Sequence, residues 1–175
     1  MERKIWLLTR QILLSKLLFY FMIEWQCKFF NDLTNEELYQ IIRLRIEVFA
    51  VEQNVVYQDC DNKDLQCYHV TGSLNNQIIA YSRILPPGIA YPGAASIGRV
   101  VTSFQARGQS LGKQLFEKSL EQVYLLFGPV RITISAQVYL IKFYENFSFI
   151  QQGDIYIEDS IPHIAMVKDI YLPAQ

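Results

Sequence analysis

The stretch from Val100 to Lys113 most constrains the fold, because it joins a strand to a helix through a short glycine-containing turn. Backbone N–H groups at the start of a helix converge on anions, and the helix dipole adds to the attraction. Gly108 and Gly112 have no Cβ and therefore let a ligand approach the backbone, and Arg107 and Lys113 supply positive charge. The pattern predicts either an anion-binding turn or a strand-to-helix turn with solvated charges. It matches neither the dinucleotide-binding fingerprint nor a P-loop.

Helical and strand patterns alternate on both sides of this turn. Thr34 and Glu37 form a capping-box sequence, which predicts a helix over residues 35–50, followed by a loop over 51–66. Asn75 and Asn76 separate two β-rich runs and favour a tight hairpin. Strands are predicted over residues 68–74, 78–85, 96–102, 131–136, 155–157 and 164–167, with further helices over 108–127 and 140–147. This order predicts one α/β domain with a mixed central sheet flanked by helices.

Composition limits the partners and the location of the protein. The chain has 175 residues, of which 51% are hydrophobic and 19% charged, and these values are typical of a folded domain. A net charge of −1 gives no basic field for nucleic acid. Cys27, Cys60 and Cys67 are odd in number, which favours a reducing cytoplasm over a disulfide framework. Cys60, Cys67 and His69 match no zinc spacing, so we expect no metal.

Residues 1–21 differ in composition from the rest of the chain. Four cations and one acid interrupt their apolar stretches, so no signal-peptide core is present, and a spanning helix needs about 20 apolar residues. The segment is a membrane-surface helix, an extra packed helix, or no part of the mature protein. We favour the third alternative, with translation starting at Met22 and the domain covering residues 22–175. No membrane partner is then expected unless residues 1–21 are retained.

Four segments, the first of them in the turn described above, carry a resemblance to a known family. Arg107-Gly108-Gln109-Ser110-Leu111-Gly112 resembles the Arg/Gln-x-x-Gly-x-Gly/Ala segment of GNAT acyltransferases, with Ser110 in place of the first glycine. Residues 141–149 resemble the later GNAT helix, with Ser148 in place of its glycine. Residues 44–53 and 158–164 are similar to the ElaA-like branch. The resemblance runs in order from about Met22 to Lys168 and implies the GNAT fold.

The resemblance also implies the co-substrate and the type of reaction. Acetyl-coenzyme A is the expected acyl donor, and an amine on a small molecule or a peptide is the expected acceptor. The predicted coenzyme-binding residues are Val100, Val101, Thr102, Arg107, Gly108, Gln109, Ser110, Leu111, Gly112 and Lys113. A non-catalytic protein that binds or senses acyl-coenzyme A is the alternative, since Ser110 and Ser148 depart from the family pattern.

Direct attack of an amine on a thioester sets three chemical tasks. The amine, with an ordinary pKa near ~10.4, must lose a proton. The oxyanion needs a donor, which the resemblance implies is a backbone N–H between Val100 and Thr102. The departing thiolate needs a proton, and Tyr144 is the acid that matches the family.

The base is less constrained than the acid. His163 and Glu52 are the leading candidates, with Glu47 and Glu158 behind them; a structural histidine and a solvated glutamate are the alternatives. Asp59, Asp61 and Asp64 form an acidic loop that either attracts a cationic acceptor or is simply solvated.

Overall fold

A seven-stranded mixed sheet is the centre of the protein in a computed structural model that describes residues 22–170. The strands are β1 Glu24–Phe29, β2 Tyr68–Leu74, β3 Gln77–Leu85, β4 Ala94–Thr102, β5 Arg131–Gln137, β6 Ile150–Glu158 and β7 Ile161–Lys168, and the α-helices are α1 Asn35–Arg45, α2 Leu111–Phe127 and α3 Ile141–Glu145. Their order in the sheet is β1-β2-β3-β4-β5-β7-β6, and only β4 and β5 pair in parallel. The predicted α/β class is confirmed, whereas the proposals about residues 1–21 lie outside the described residues.

Helix α1 begins at the predicted capping box. Thr34 Oγ1 accepts a hydrogen bond from the Glu37 N–H at 3.2 Å, and Glu37 Oε2 accepts one from the Thr34 N–H at 2.9 Å. The α-helix ends at Arg45 and continues as a π-helical segment, Ile46–Glu52, two residues beyond the predicted end. The wider winding rotates the last turn relative to an α-helix, and its C-terminal residue Glu52 approaches the turn before α2.

The β2–β3 hairpin confirms the prediction from the two asparagines. Asn75 and Asn76 have φ values of 51° and 62°, the left-handed conformation that a tight turn requires. Strand β1, which was not predicted, pairs antiparallel with β2. The Trp25 ring covers Gly72 so closely that a Cβ at Gly72 would lie 2.8 Å from it. Because Gly72 has no side chain, the Trp25 ring of β1 can pack over this position of β2.

Strand β4 contains a bulge next to the site described below. Tyr81 pairs with Val101 and Arg83 with Gly98, so two residues of β4 lie opposite one residue of β3. Arg99, one of the two, has a φ of 53°. This left-handed conformation is costly for a non-glycine residue, so the contacts of the Arg99 side chain must maintain it.

The last strands are longer than predicted. The segment 158–163 is not a long connection, because only Asp159 and Ser160 form the turn, with φ values of 49° and 65°. Strand β6 is exposed along its whole length at the sheet edge, so it lacks the buried apolar run by which sequence patterns reveal a strand.

Helices pack on the sheet through two apolar clusters. The smaller cluster joins Ile41, Leu44 and Val48 near α1 to Val101 of β4. The larger cluster contains α2 residues and most of the sheet interior. Among residues 22–170, no helix is both long enough and apolar enough to cross a membrane.

Candidate active site

A cavity lies in the gap between β4 and β5. The two strands pair only at Ala94↔Arg131 and Ala95↔Ile132 and then separate. A cavity of about 440 Å³ is lined by the separated parts of both strands, including Val100 and Ser135. Its size falls within the range of small-molecule sites. The separation leaves the β4 backbone groups that point towards β5 without a strand partner.

The predicted oxyanion donors lie at this edge of β4. Val101 and Thr102 pair with β3, and Val100 lines the cavity. Successive residues of a strand direct their N–H groups to alternate sides. At least one N–H among Val100, Val101 and Thr102 therefore faces away from β3, towards the open side of the gap.

The turn before α2 presents free backbone donors. Ser110 precedes the helix with φ 60° and ψ 20°, and no side chain caps the first turn. The N–H groups of Leu111, Gly112 and Lys113 therefore have no helical partner. A Cβ at Gly112 would meet nothing within 4 Å, so the space beside these donors is open. These features fit a phosphate-bearing ligand.

Both serines that depart from the family pattern adopt a glycine-like backbone conformation. Ser110 has a φ of 60° and Ser148, just after α3, a φ of 66°. Serine pays a steric cost in this region that glycine does not. The two positions therefore hold a left-handed backbone conformation that glycine would adopt at a lower cost.

Replacing Ser110 or Ser148 with glycine is expected to stabilise the protein. Relief of strain, partly offset by the greater freedom of glycine in the unfolded chain, predicts a gain of about 0.5–1 kcal/mol each. The measurement is thermal unfolding, in which each replacement should raise Tm by roughly 1–4 °C. Glu117→Gly, inside α2, is the control and should lower Tm. A lower Tm for both serine variants would contradict the strain.

Arg107 and Glu52 lie together, although the sequence suggested different roles for them. Arg107 donates to both Glu52 carboxylate oxygens at 2.7 and 2.8 Å, and its guanidinium lies 5.6 Å from the centre of the Phe104 ring. Glu52 does not line the cavity. A carboxylate paired in this way is poorly placed to remove a proton from an acceptor. Lys113 makes a surface pair with Glu117 at 3.7 Å.

Tyr144 lines the cavity from α3 and is 7% exposed. Its ring packs against Phe116 and Phe143, each at 5.1 Å between ring centres. Burial raises the pKa of the Tyr144 phenol above its ordinary value, so the hydroxyl stays protonated at neutral pH. The ring is fixed by packing, and the phenol remains available as a proton donor.

His163 lines the same cavity from β7 and is 9% exposed. Its Nδ1 lies 2.9 Å from the Ile161 carbonyl oxygen. A carbonyl only accepts hydrogen bonds, so Nδ1 of the neutral ring carries the hydrogen and Nε2 carries the lone pair. The backbone therefore fixes a tautomer in which Nε2 can accept a proton. Glu158 also lines the cavity, whereas Glu47 does not.

The predicted acidic loop is not a free cation-binding surface, and it is not simply solvated. Arg45 binds Asp59 at 2.8 Å and Asp64 at 3.0 Å, and it is 1% exposed. Arg83 binds Asp61 at 2.6 Å and Asp64 at 2.8 Å. Arg99, the third arginine of the cluster, also binds Asp59 at 2.8 Å. The three arginines neutralise the three aspartates and attach residues 59–64 to the sheet beside the cavity.

Sequence patterns contained a signal for this cluster. Arg83 is the one charged residue of strand β3, and Arg45 follows Ile41 by four residues on the buried side of α1. A buried arginine needs carboxylate partners. The nearby aspartates were the available partners, but their spacing in the loop did not indicate which arginine each aspartate binds.

The cluster predicts a loss of stability in acid. Partial burial alone would raise the pKa of Asp61, but hydrogen bonds and charge from Arg83 outweigh it and lower that pKa from 3.8 to about 2. A depressed folded-state pKa stabilises the protein above the unfolded value, and this stability is lost as the pH falls from about 4 towards 2. We expect Asp61→Asn to remove roughly 2 kcal/mol of this pH-dependent stability. Urea unfolding at pH 7 and pH 2 measures this loss, and the same fall in the free energy of unfolding between the two pH values in both proteins would contradict it.

No cluster of three His, Cys, Asp or Glu side chains in residues 22–170 is arranged to hold a metal ion. His69 illustrates the local chemistry, because its Nε2 lies 3.1 Å from the Asp64 carbonyl oxygen and its Nδ1 lies 2.9 Å from the Tyr81 hydroxyl. Cys67 Sγ donates to the Lys63 carbonyl oxygen. These groups therefore have structural partners within the protein.

Comparisons with known proteins agree with this fold. The model of the acetyltransferase (GNAT) domain family matches residues 31–170. Protein ElaA of Escherichia coli is 39% identical over 151 residues, which cover 85% of this chain and 98% of the relative. Its crystal structure superposes with a TM-score of 0.79, over 85% of this chain and 100% of that chain.

A second crystal structure gives a similar match. An acyl-CoA N-acyltransferase from Pseudomonas aeruginosa is 41% identical, with a TM-score of 0.80, over 83% of this chain and 99% of that chain. Membership in this family supports acyl transfer as the general class of reaction. The chain therefore belongs to the GNAT acetyltransferase family, and within that family to its ElaA-like branch.

Proposed function

We propose that the protein transfers an acetyl group from acetyl-coenzyme A to an amine by direct attack on the thioester. One observation carries this proposal: Tyr144 and His163, a protonated acid and a ring nitrogen with a free lone pair, line the same cavity where β4 and β5 separate. Family membership supports the thioester as the other reactant.

The turn between β4 and α2 would hold the coenzyme A pyrophosphate. The free N–H groups of the first turn of α2 and the open space at Gly112 support this assignment. Arg107 lies beside the turn with its charge partly neutralised by Glu52. We therefore expect the energy of pyrophosphate binding to come mainly from backbone N–H groups between Gly108 and Lys113.

Proton transfers follow from the orientation of the two cavity residues. His163 Nε2 takes a proton from the acceptor ammonium, and the freed amine forms a C–N bond to the acyl carbon. A backbone N–H of β4 stabilises the oxyanion while it exists. The C–S bond then breaks, and the Tyr144 hydroxyl gives its proton to the departing thiolate. The acylated nitrogen loses its remaining extra proton to the Tyr144 phenolate, which restores the phenol, and His163 releases its proton to solvent. Glu52 takes no part in these transfers.

Coenzyme A release tests this function. Purified protein is incubated with acetyl-coenzyme A and a panel of small amines, amino acids and peptides, and free thiol is measured together with acylated product by mass spectrometry. We expect amine-dependent release with at least one class. Tight coenzyme A binding without release for any amine would instead favour the non-catalytic binding protein.

A further inference from the structure

Glu158 provides a carboxylate without a cation partner on the wall of the cavity. It lies at the end of β6, and its Oε2 accepts a hydrogen bond from Ser135 Oγ at 2.6 Å. Within residues 22–170 no lysine, arginine or histidine forms an ion pair with it. Its negative charge is therefore available to a ligand in the cavity that it lines.

Two hydroxyl groups orient this carboxylate. The Tyr156 hydroxyl donates a hydrogen bond to Ser135 Oγ at 2.6 Å, and the Ser135 hydroxyl in turn donates its one hydrogen bond to Glu158. A carboxylate only accepts, so the direction of the chain is fixed. The Tyr156 ring also stacks on His163, with 6.2 Å between ring centres. These two hydrogen bonds therefore orient Glu158 in the same cavity that His163 lines.

Among the charges around the cavity, those of the β6–β7 hairpin are the ones that can attract a cation. Arg83 and Arg99 are neutralised by the aspartates of the adjoining loop. Lys63, which belongs to the wall formed by that loop, forms no ion pair within the described chain. Asp159, next to Glu158 in the turn, adds negative charge on the hairpin side. A cationic group in the cavity is thus attracted towards the hairpin and repelled by Lys63 on the opposite wall.

We propose that Glu158 binds the acyl acceptor as an ammonium ion, and that the acceptor is an aliphatic amine. An aliphatic amine is cationic near neutral pH, whereas an aromatic amine is uncharged and gains little from a carboxylate. This inference rests on the proposed function and assigns the acceptor class of the same site. Glu158 is a binding and positioning residue, because a carboxylate stabilises the ammonium form, and the proton then passes to His163.

Binding of benzylamine to the protein in the presence of free coenzyme A tests the inference without turnover. Calorimetry at low ionic strength should show that Glu158→Gln weakens benzylamine binding roughly 10- to 100-fold, as expected for the loss of a charge-assisted hydrogen bond. Ser135→Ala keeps the charge but loses its orientation, so we expect a loss of only a few-fold. Unchanged affinity in Glu158→Gln would overturn the inference.

Asp159→Asn is the matched control, because it removes the same charge from the neighbouring residue, which has no hydroxyl chain. We expect it to change benzylamine affinity less than about threefold, because no hydroxyl group of residues 22–170 orients the Asp159 carboxylate, whereas Ser135 orients that of Glu158. A loss equal to that of Glu158→Gln would overturn the specific role of Glu158, since the general field of the hairpin would then suffice.

Acyl transfer gives a second measurement. Wild-type protein should use benzylamine with a higher kcat/KM than aniline, and Glu158→Gln should raise KM for benzylamine while KM for aniline and both kcat values change little. A kcat loss without a KM change would overturn the assigned role. Transfer to neither amine, with benzylamine binding still dependent on Glu158, would count against the proposed function and leave the cation site intact.

Discussion

Replacing Tyr144 with phenylalanine is expected to reduce the rate of acyl transfer by roughly 10²- to 10⁴-fold, the range typical for the loss of a general acid. Phenylalanine keeps the ring that packs against Phe116 and Phe143. It removes only the hydroxyl, whose pKa burial keeps above its ordinary value. The loss should appear in kcat, because protonation of the thiolate occurs in the transition state. Single-turnover rates are the measurement, since product release can conceal a change in the chemical step.

Tyr139→Phe is the control for this experiment. Tyr139 lies five residues earlier, is 69% exposed and does not line the cavity. Its hydroxyl interacts with Gln137 at the surface. We expect near-normal single-turnover rates for Tyr139→Phe. Undiminished rates for Tyr144→Phe as well would show that Tyr144 is only part of the cavity wall.

Gly112→Glu is expected to abolish measurable coenzyme A binding, a loss of more than about 100-fold in affinity. The new side chain would extend into the space beside the first-turn N–H groups, where the pyrophosphate is proposed to bind. A negative charge at that position also opposes a ligand with several negative charges. Isothermal calorimetry with coenzyme A and with its 3′-phosphorylated adenosine diphosphate half would measure the loss.

Gly112→Ala separates a steric effect at the backbone from the effect of the carboxylate. A Cβ at Gly112 meets no neighbour within 4 Å, and the residue lies in a helix that alanine favours. Both variants should therefore keep the unfolding temperature of the wild type within a few degrees. Wild-type affinity in a folded Gly112→Glu protein would place the coenzyme elsewhere.

Local signals in the sequence predicted much of the fold. The capping box at Thr34 fixed the start of α1, and the pair Asn75-Asn76 fixed the β2–β3 hairpin, because each feature is satisfied within a few residues. Strand β1 was missed although Trp25, Cys27 and Phe29 alternate with polar residues, a pattern that does indicate a strand. Strand β6 could not be delimited, because no face of it is buried.

The candidate site depended more on contacts between distant parts of the chain. Tyr144 and His163 lie 19 residues apart on different elements. Family resemblance selected Tyr144, and the proton chemistry of histidine rather than its spacing selected His163. The pairing of Glu52 with Arg107 spans 55 residues, so no local pattern contains it. The role of Glu158 likewise needed the positions of Ser135 and Tyr156, which only the packed sheet brings together.

The bulge in β4 changes which side of the strand each residue faces. Ala95 and Ile97, both odd-numbered, belong to the larger cluster near α2, whereas beyond the bulge the even-numbered Val100 packs there and Val101 joins the cluster near α1. The bulge therefore reverses the phase of the alternation just before the proposed coenzyme site. Deleting Arg99 would restore a single phase and exchange the two faces of Val100 to Thr102. The one extra residue of the bulge thus determines which backbone N–H groups of β4 face the cavity.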